Sequence, residues 1–243
     1  MYYTTRHITG NHIRVAHSPD ALTWNSQAAP ALPGSPDSDD YRYECGGATK
    51  HDLAGTDVRM FFRCTKKYSP PGEKPDYALY SALSHDGLSF IHEEGARIDN
   101  SNHDPSSPWL TVGHGRAYIL PDGTLAGIFS VETAKNTPSD LALFTSTDDG
   151  MNWTYEKTLY KGWHDPVVFN MGDQYVMFAY YLLEYPAMMV SEDGVTWPDT
   201  VTQIELYDPN QLSSVGDSEG RLPYDDEHAD LGAVVLPDGR VLL

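Results

Sequence analysis

The chain has 243 residues and carries 35 acidic against 16 basic side chains, a formal net charge of −19. That acid excess excludes an electrostatic footprint for DNA, RNA or an anionic membrane surface, because those polyanions need a cationic face. A hydrophobic content of 40% is enough to build a core, which excludes wholesale disorder, and no apolar run reaches the ~20 residues of a membrane span.

The opening segment, MYYTTRHITG, has no apolar h-region of a signal peptide. A secreted or periplasmic location is expected only if the parent gene carries a signal. Residues 1–24 read as the end of one strand, a second strand ending in IRVAH, and a turn, SPDALTW. Residues 45–53 and 58–65 read as antiparallel strands joined by a tight turn. That places Cys45 opposite Cys64, either bridged or as two buried thiols. Two cysteines exclude a disulfide-dense scaffold and a four-cysteine zinc site.

YALYSAL then leads into the turn SHDGLSF. The hairpin AYILPDGTLAGIFS (117–130) is followed by LALFT and STDDGMNW. VVFNMGDQYVMFAYY (167–181) is followed by AMMV and SEDGVTW. The chain ends on a fourth hairpin, GAVVLPDGRVLL (232–243). The runs are short, rich in β-branched and aromatic residues, and bounded by turn residues; helical periodicity is nowhere sustained. The chain is predicted to be all-β.

The turn motif occurs four times, from Ser18, Ser84, Ser146 and Ser191, with spacings of 66, 62 and 45 residues. Each copy has Ser, any residue, Asp, a Gly-centred turn (Ala21 in the first copy) and an aromatic. The Asp accepts turn N–H groups and the glycine supplies a positive φ. Each unit is then a four-stranded antiparallel blade, and the whole 1–243 a single β-propeller domain. The two chain ends read as halves of one blade. They either close a four-bladed ring or belong to a longer propeller, of up to six blades, whose flanking blades lie outside the chain; ends that fall inside strands favour the second.

The turn resembles the Asp-box of sialidases, STDDGMNW being the fullest match. The shorter form is similar to the blade signature of five-bladed arabinanase-, invertase- and mannoside-phosphorylase-type glycosidases. HDPVVFNMGDQYVMFAYY with AMMVSEDGVTW carries that likeness furthest. The resemblance implies an Asp-Pro at the innermost strand whose Asp faces the substrate, here Asp165, and hydrolysis of a glycosidic bond. The Arg-Ile-Pro of sialidases is absent, and so is the Glu-Gly-Pro of arabinanase-type acids.

Propeller topology sorts the residues by face. The Asp turns share one face; the entrances of the innermost strands lie on the other, which excludes Asp20, Asp86, Asp148 and Asp193 as catalysts. Four entrance segments gather Glu44, Asp104, His114, Arg116, His164, Asp165, Glu227, His228 and Asp230. Glycosidic cleavage needs two carboxyl groups. Asp165, Glu227, Asp230, Asp104 and Glu44 are the candidates. Arg116, His114, His164, His228, Trp163 and Arg221 are the expected sugar contacts. Tyr68, Trp109 and Tyr185 are further stacking candidates. No cofactor or catalytic metal is expected; the pattern admits a structural Ca²⁺ or other ion in the channel. The expected partner is a carbohydrate, with no nucleic acid, no membrane insertion, and a monomeric state. A non-catalytic carbohydrate- or protein-binding propeller is the alternative.

Overall fold

The structure, a computed structural model, describes residues 2–7, 10–20, 23–32, 45–65, 77–101, 111–132, 139–181, 185–204, 234–235 and 241–242. These residues form strands and turns, with no helix among them. The first sheet has three strands, β1 (Tyr2–His7), β2 (Gly10–His17) and β3 (Asn25–Ser26). Three four-stranded antiparallel sheets follow. They are β4 (Cys45–Asp52), β5 (Val58–Thr65), β6 (Tyr77–Ser84) and β7 (Ile91–His92); β8 (Thr111–Ile119), β9 (Leu125–Glu132), β10 (Asp140–Ser146) and β11 (Thr154–Lys161); and β12 (Trp163–Asn170), β13 (Tyr175–Tyr181), β14 (Tyr185–Ser191) and β15 (Thr202–Gln203). A last two-stranded ladder pairs β16 (Val234–Val235) with β17 (Val241–Leu242). Each four-stranded sheet runs in chain order from its innermost strand outward, as expected of propeller blades.

The core lies between sheets. Phe61 and Leu79 meet Phe129, Val131 and Phe144 across one boundary; Tyr118 and Ile128 meet Val168, Met177 and Met189 across the next. β9 is buried along nearly its whole length because both its faces are covered by neighbouring sheets, so its sequence is a continuous apolar run and not an alternation. Burying one such Phe contributes roughly 2–3 kcal/mol.

The four Asp turns are architecture. Asp86 Oδ1 accepts the N–H of Leu88 and Ser89 at 2.8 and 2.9 Å, and Asp193 Oδ1 those of Val195 and Thr196 at 2.8 and 2.6 Å. Asp148 does the same for Asn152, and Asp20 for Thr23. Ser84, Ser146 and Ser191 each accept the N–H of the turn glycine at 2.9 Å. The Trp153 and Trp197 indoles donate back to the carbonyls of Gly150 and Gly194.

Three of these turns are also sockets for the sheet before them. Tyr2 donates to the carbonyl of Gly87, and Tyr118 to that of Gly194. Arg59 donates to the carbonyl of Asp149 at 2.7 Å, with His51 3.3 Å from its carboxylate. Arg59 also pairs both carboxylate oxygens of Glu93, which accepts from Ser81, whose hydroxyl takes a hydrogen bond from Arg97. Cys64 is disulfide-bonded, and the chain's other cysteine, Cys45, is its cross-strand partner. This decides between the bridge and the two buried thiols.

Candidate active site

The innermost strands β4, β8 and β12 each break register near their entrance, with two residues standing opposite one. The pairs are Gly47–Ala48 opposite Phe62, Gly113–His114 opposite Ser130, and Asp165–Pro166 opposite Ala179. Such bulges bend a strand and re-aim a side chain. Counted from the residue paired with the turn serine, the bulge falls at the same place in the β4 and β12 sheets and one residue later in the β8 sheet. His114 stands in that β8 bulge, and its ring reaches Asp165 on β12.

Asp165 has φ +51°. Only one other non-glycine among the described residues has a positive φ, Asp149 in a turn. Asp tolerates this region better than most residues, yet at a cost, and such positions cluster at functional sites. The Asp165 carboxylate lies between two imidazoles: His164 Nδ1 is 2.8 Å from Oδ2 and His114 Nδ1 is 3.4 Å from Oδ1. All three side chains are between 12% and 14% exposed, so the group is sheltered. The Asp165 N–H donates to Ser130 Oγ at 2.9 Å. Gly47 completes the floor, since a Cβ there would come within 2.8 Å of the His114 ring.

The other ring nitrogen of His164, Nε2, is buried and has no hydrogen-bond partner among the described residues. The His164 ring stacks on Tyr180, 5.7 Å apart and 17° from parallel. Burial first, and the Asp165 charge second, push the Tyr180 phenol above its ordinary value. Arg116 lies two residues past His114 on β8, its guanidinium over the Phe169 ring at 5.8 Å. Burial pulls its pKa down, and among the described residues it makes no hydrogen bond or ion pair.

The structure therefore brings Asp165, His164 and His114 together and sets Arg116 deeper along the same innermost strands. Asp165 lies near the start of β12, which begins at Trp163 and bulges at residues 165–166. One expectation needs revision. Trp163 is not a stacking platform: it is 6% exposed, its ring packed against Tyr160 and Tyr181. Glu44, Asp104, Arg221, Glu227, His228 and Asp230 lie outside the described residues, as do Tyr68, Trp109 and the Tyr185 side chain. Among the described residues no group of three or more His, Cys, Asp or Glu side chains is arranged to hold a metal ion.

Sequence reasoning missed Ser130, Tyr180 and Gly47. Ser130 alone carried a signal, as the single polar residue inside the run LAGIFSV.

The fold is that of known carbohydrate-active propellers. The chain matches a thermostable family-43 glycoside hydrolase with a TM-score of 0.57, at 13% identity, over 85% of this chain and 72% of that one. A family 117 glycoside hydrolase from the marine bacterium Zobellia galactanivorans matches with a TM-score of 0.55 at 12% identity, over 68% and 56% of the two chains. A Hadza microbial sialidase matches with a TM-score of 0.55 at 18% identity, over 82% and 41%. The chain thus spans less than two thirds of the latter two. No protein-family model matches the sequence, and no curated protein matches it. At these identities the likeness establishes a β-propeller shared with glycoside hydrolases.

Proposed function

We propose that this propeller cleaves a glycosidic bond in an oligo- or polysaccharide, with Asp165 as one of the two carboxyl groups the reaction requires. The observation that carries the reading is the backbone cost accepted at Asp165 to aim its carboxylate between His114 and His164. A hydrogen bond from His164 to one oxygen, with the His114 ring beside the other, would hold an ionised carboxylate in one orientation, as a nucleophile or a base needs. The second carboxyl group is drawn from Glu227, Asp230, Asp104 and Glu44. Arg116 and Arg221 would orient the sugar, with His228 beside them. The repeated turn is read as an Asp-box, its role here confined to joining blades.

The test is product release from a broad glycan panel, wild type against Asp165→Asn. Asn accepts the left-handed conformation readily, so the fold should be kept. Cleavage lost in a folded variant supports the proposal. Equal cleavage by both removes Asp165 from the reaction.

A second reading is a non-catalytic carbohydrate-binding propeller. It is favoured by Asp165 being the one carboxylate in the described His114–His164 cluster. Glycan binding without cleavage by folded wild type would decide for it.

A further inference from the structure

We propose that Ser130 is the positioning residue for Asp165, fixing its peptide so that the carboxylate stays between the two imidazoles. The proposal rests on the reading of Asp165 as the group that meets the sugar. Ser130 is 2% exposed, in a strand otherwise apolar until its last residue. A buried hydroxyl needs a partner, and this one accepts the Asp165 N–H across the boundary between two sheets.

The same serine stands opposite Gly113 and His114, and a Cβ added to Gly113 would come within 3.0 Å of the Ser130 Cβ. One side chain therefore touches both bulges, the one that presents His114 and the one that presents Asp165. A left-handed Asp is a conformation the chain leaves readily unless its surroundings hold it. Gly47, at φ +61°, adopts the same backbone with no side chain to aim. Asp165 has one, and the core-anchored acceptor at Ser130 keeps it aimed. Without the hydroxyl the peptide relaxes toward the extended region and carries the carboxylate away from His114.

Ser130→Ala and the near-isosteric Ser130→Cys test this, with Ser81→Ala as a control. Ser81 is equally buried and bonds Glu93 and Arg97, away from the site. The readouts are the His114 and His164 ring resonances by NMR, and kcat and KM on a glycan the wild type cleaves. Both Ser130 variants are expected to move the two ring resonances and to lower kcat about tenfold or more, with KM within about twofold. Ser81→Ala should move neither. Unchanged resonances and kcat in a folded Ser130 variant overturn the proposal; should the alanine variant fail to fold, the cysteine variant decides it alone. If the wild type cleaves nothing, shifted resonances still support the positioning role while the hydrolase reading falls.

Discussion

Asp165 occupies in the β12 sheet the left-handed backbone position that Gly47 occupies in the β4 sheet, at φ +51° and +61°. Both stand in a bulge at the same distance from their turn serines. One repeat fills the slot with the residue that costs least there, the other with a carboxylate. Asp165→Asn should change unfolding free energy by less than about 1 kcal/mol, since Asn tolerates this region. Asp165→Val should cost about 2 kcal/mol or more, because a β-branched side chain does not. Urea unfolding of the pair checks this; equal stability of the two variants would remove the strain argument.

Gly47 matters to a residue on another sheet. Gly47→Ala would place a methyl group within 2.8 Å of the His114 ring and an L side chain at positive φ. The expected loss is about 1–3 kcal/mol, with His114 displaced from Asp165. Urea unfolding gives the first, and the His114 ring resonances the second.

Glu93 is the hinge of a buried ion network. Its partners Arg59 and Arg97 are 8% and 7% exposed and tie the β4–β7 sheet to the next sheet's turn through Asp149 and Met151. Glu93→Gln leaves two buried guanidinium groups without that charge, at a cost of about 3 kcal/mol. A denaturant midpoint unchanged from wild type would contradict it.

The same residue predicts acid behaviour. Burial opposes the Glu93 charge, but Arg59 and Ser81 outweigh it and hold the carboxyl below its usual range. Asp193 is held low chiefly by the Thr196 N–H, and Asp86 by those of Ser89 and Leu88. A depressed folded pKa adds stability that is fully present above the ordinary carboxylate range of about 4 and is lost as pH falls through the lower folded values. Thermal midpoints should therefore hold between pH 7 and about 5 and fall steeply below 4. In Glu93→Gln the fall should be shallower.

The disulfide of Cys64 clamps β4 to β5 at the strand entrance, beside the Gly47 bulge. Cys64→Ser should lower stability by about 2–4 kcal/mol. A reducing agent should produce the same shift in the wild type and none in the variant.

The turns were legible in the sequence because each of their residues answers to local chemistry: a carboxylate for stranded N–H groups, a glycine for a positive φ. The strands followed, as the runs between turns. The site was only half legible. Topology alone gathered Asp165, His164 and His114, but no residue pattern announces that His114 and Asp165 both stand in bulges. Ser130 and Gly47 act on residues of another sheet, so their importance is invisible to local reading. Trp163 was misread because an aromatic at a strand entrance looks the same whether it faces a sugar or packs between Tyr160 and Tyr181.

The hydrogen bonds from Tyr2 to Gly87, from Arg59 to Asp149 and from Tyr118 to Gly194 all point the same way along the chain. Among the described residues each of the first three sheets grips its successor, so the free energy of a sheet between two others depends on its own folding and on two seams. This is the thermodynamics of a one-dimensional array with nearest-neighbour coupling. A lesion in one seam should spread one unit in each direction and then fade. Because His114 and Asp165 stand on either side of one seam, that seam sets both the cohesion of the array and the geometry of the His114–Asp165 contact.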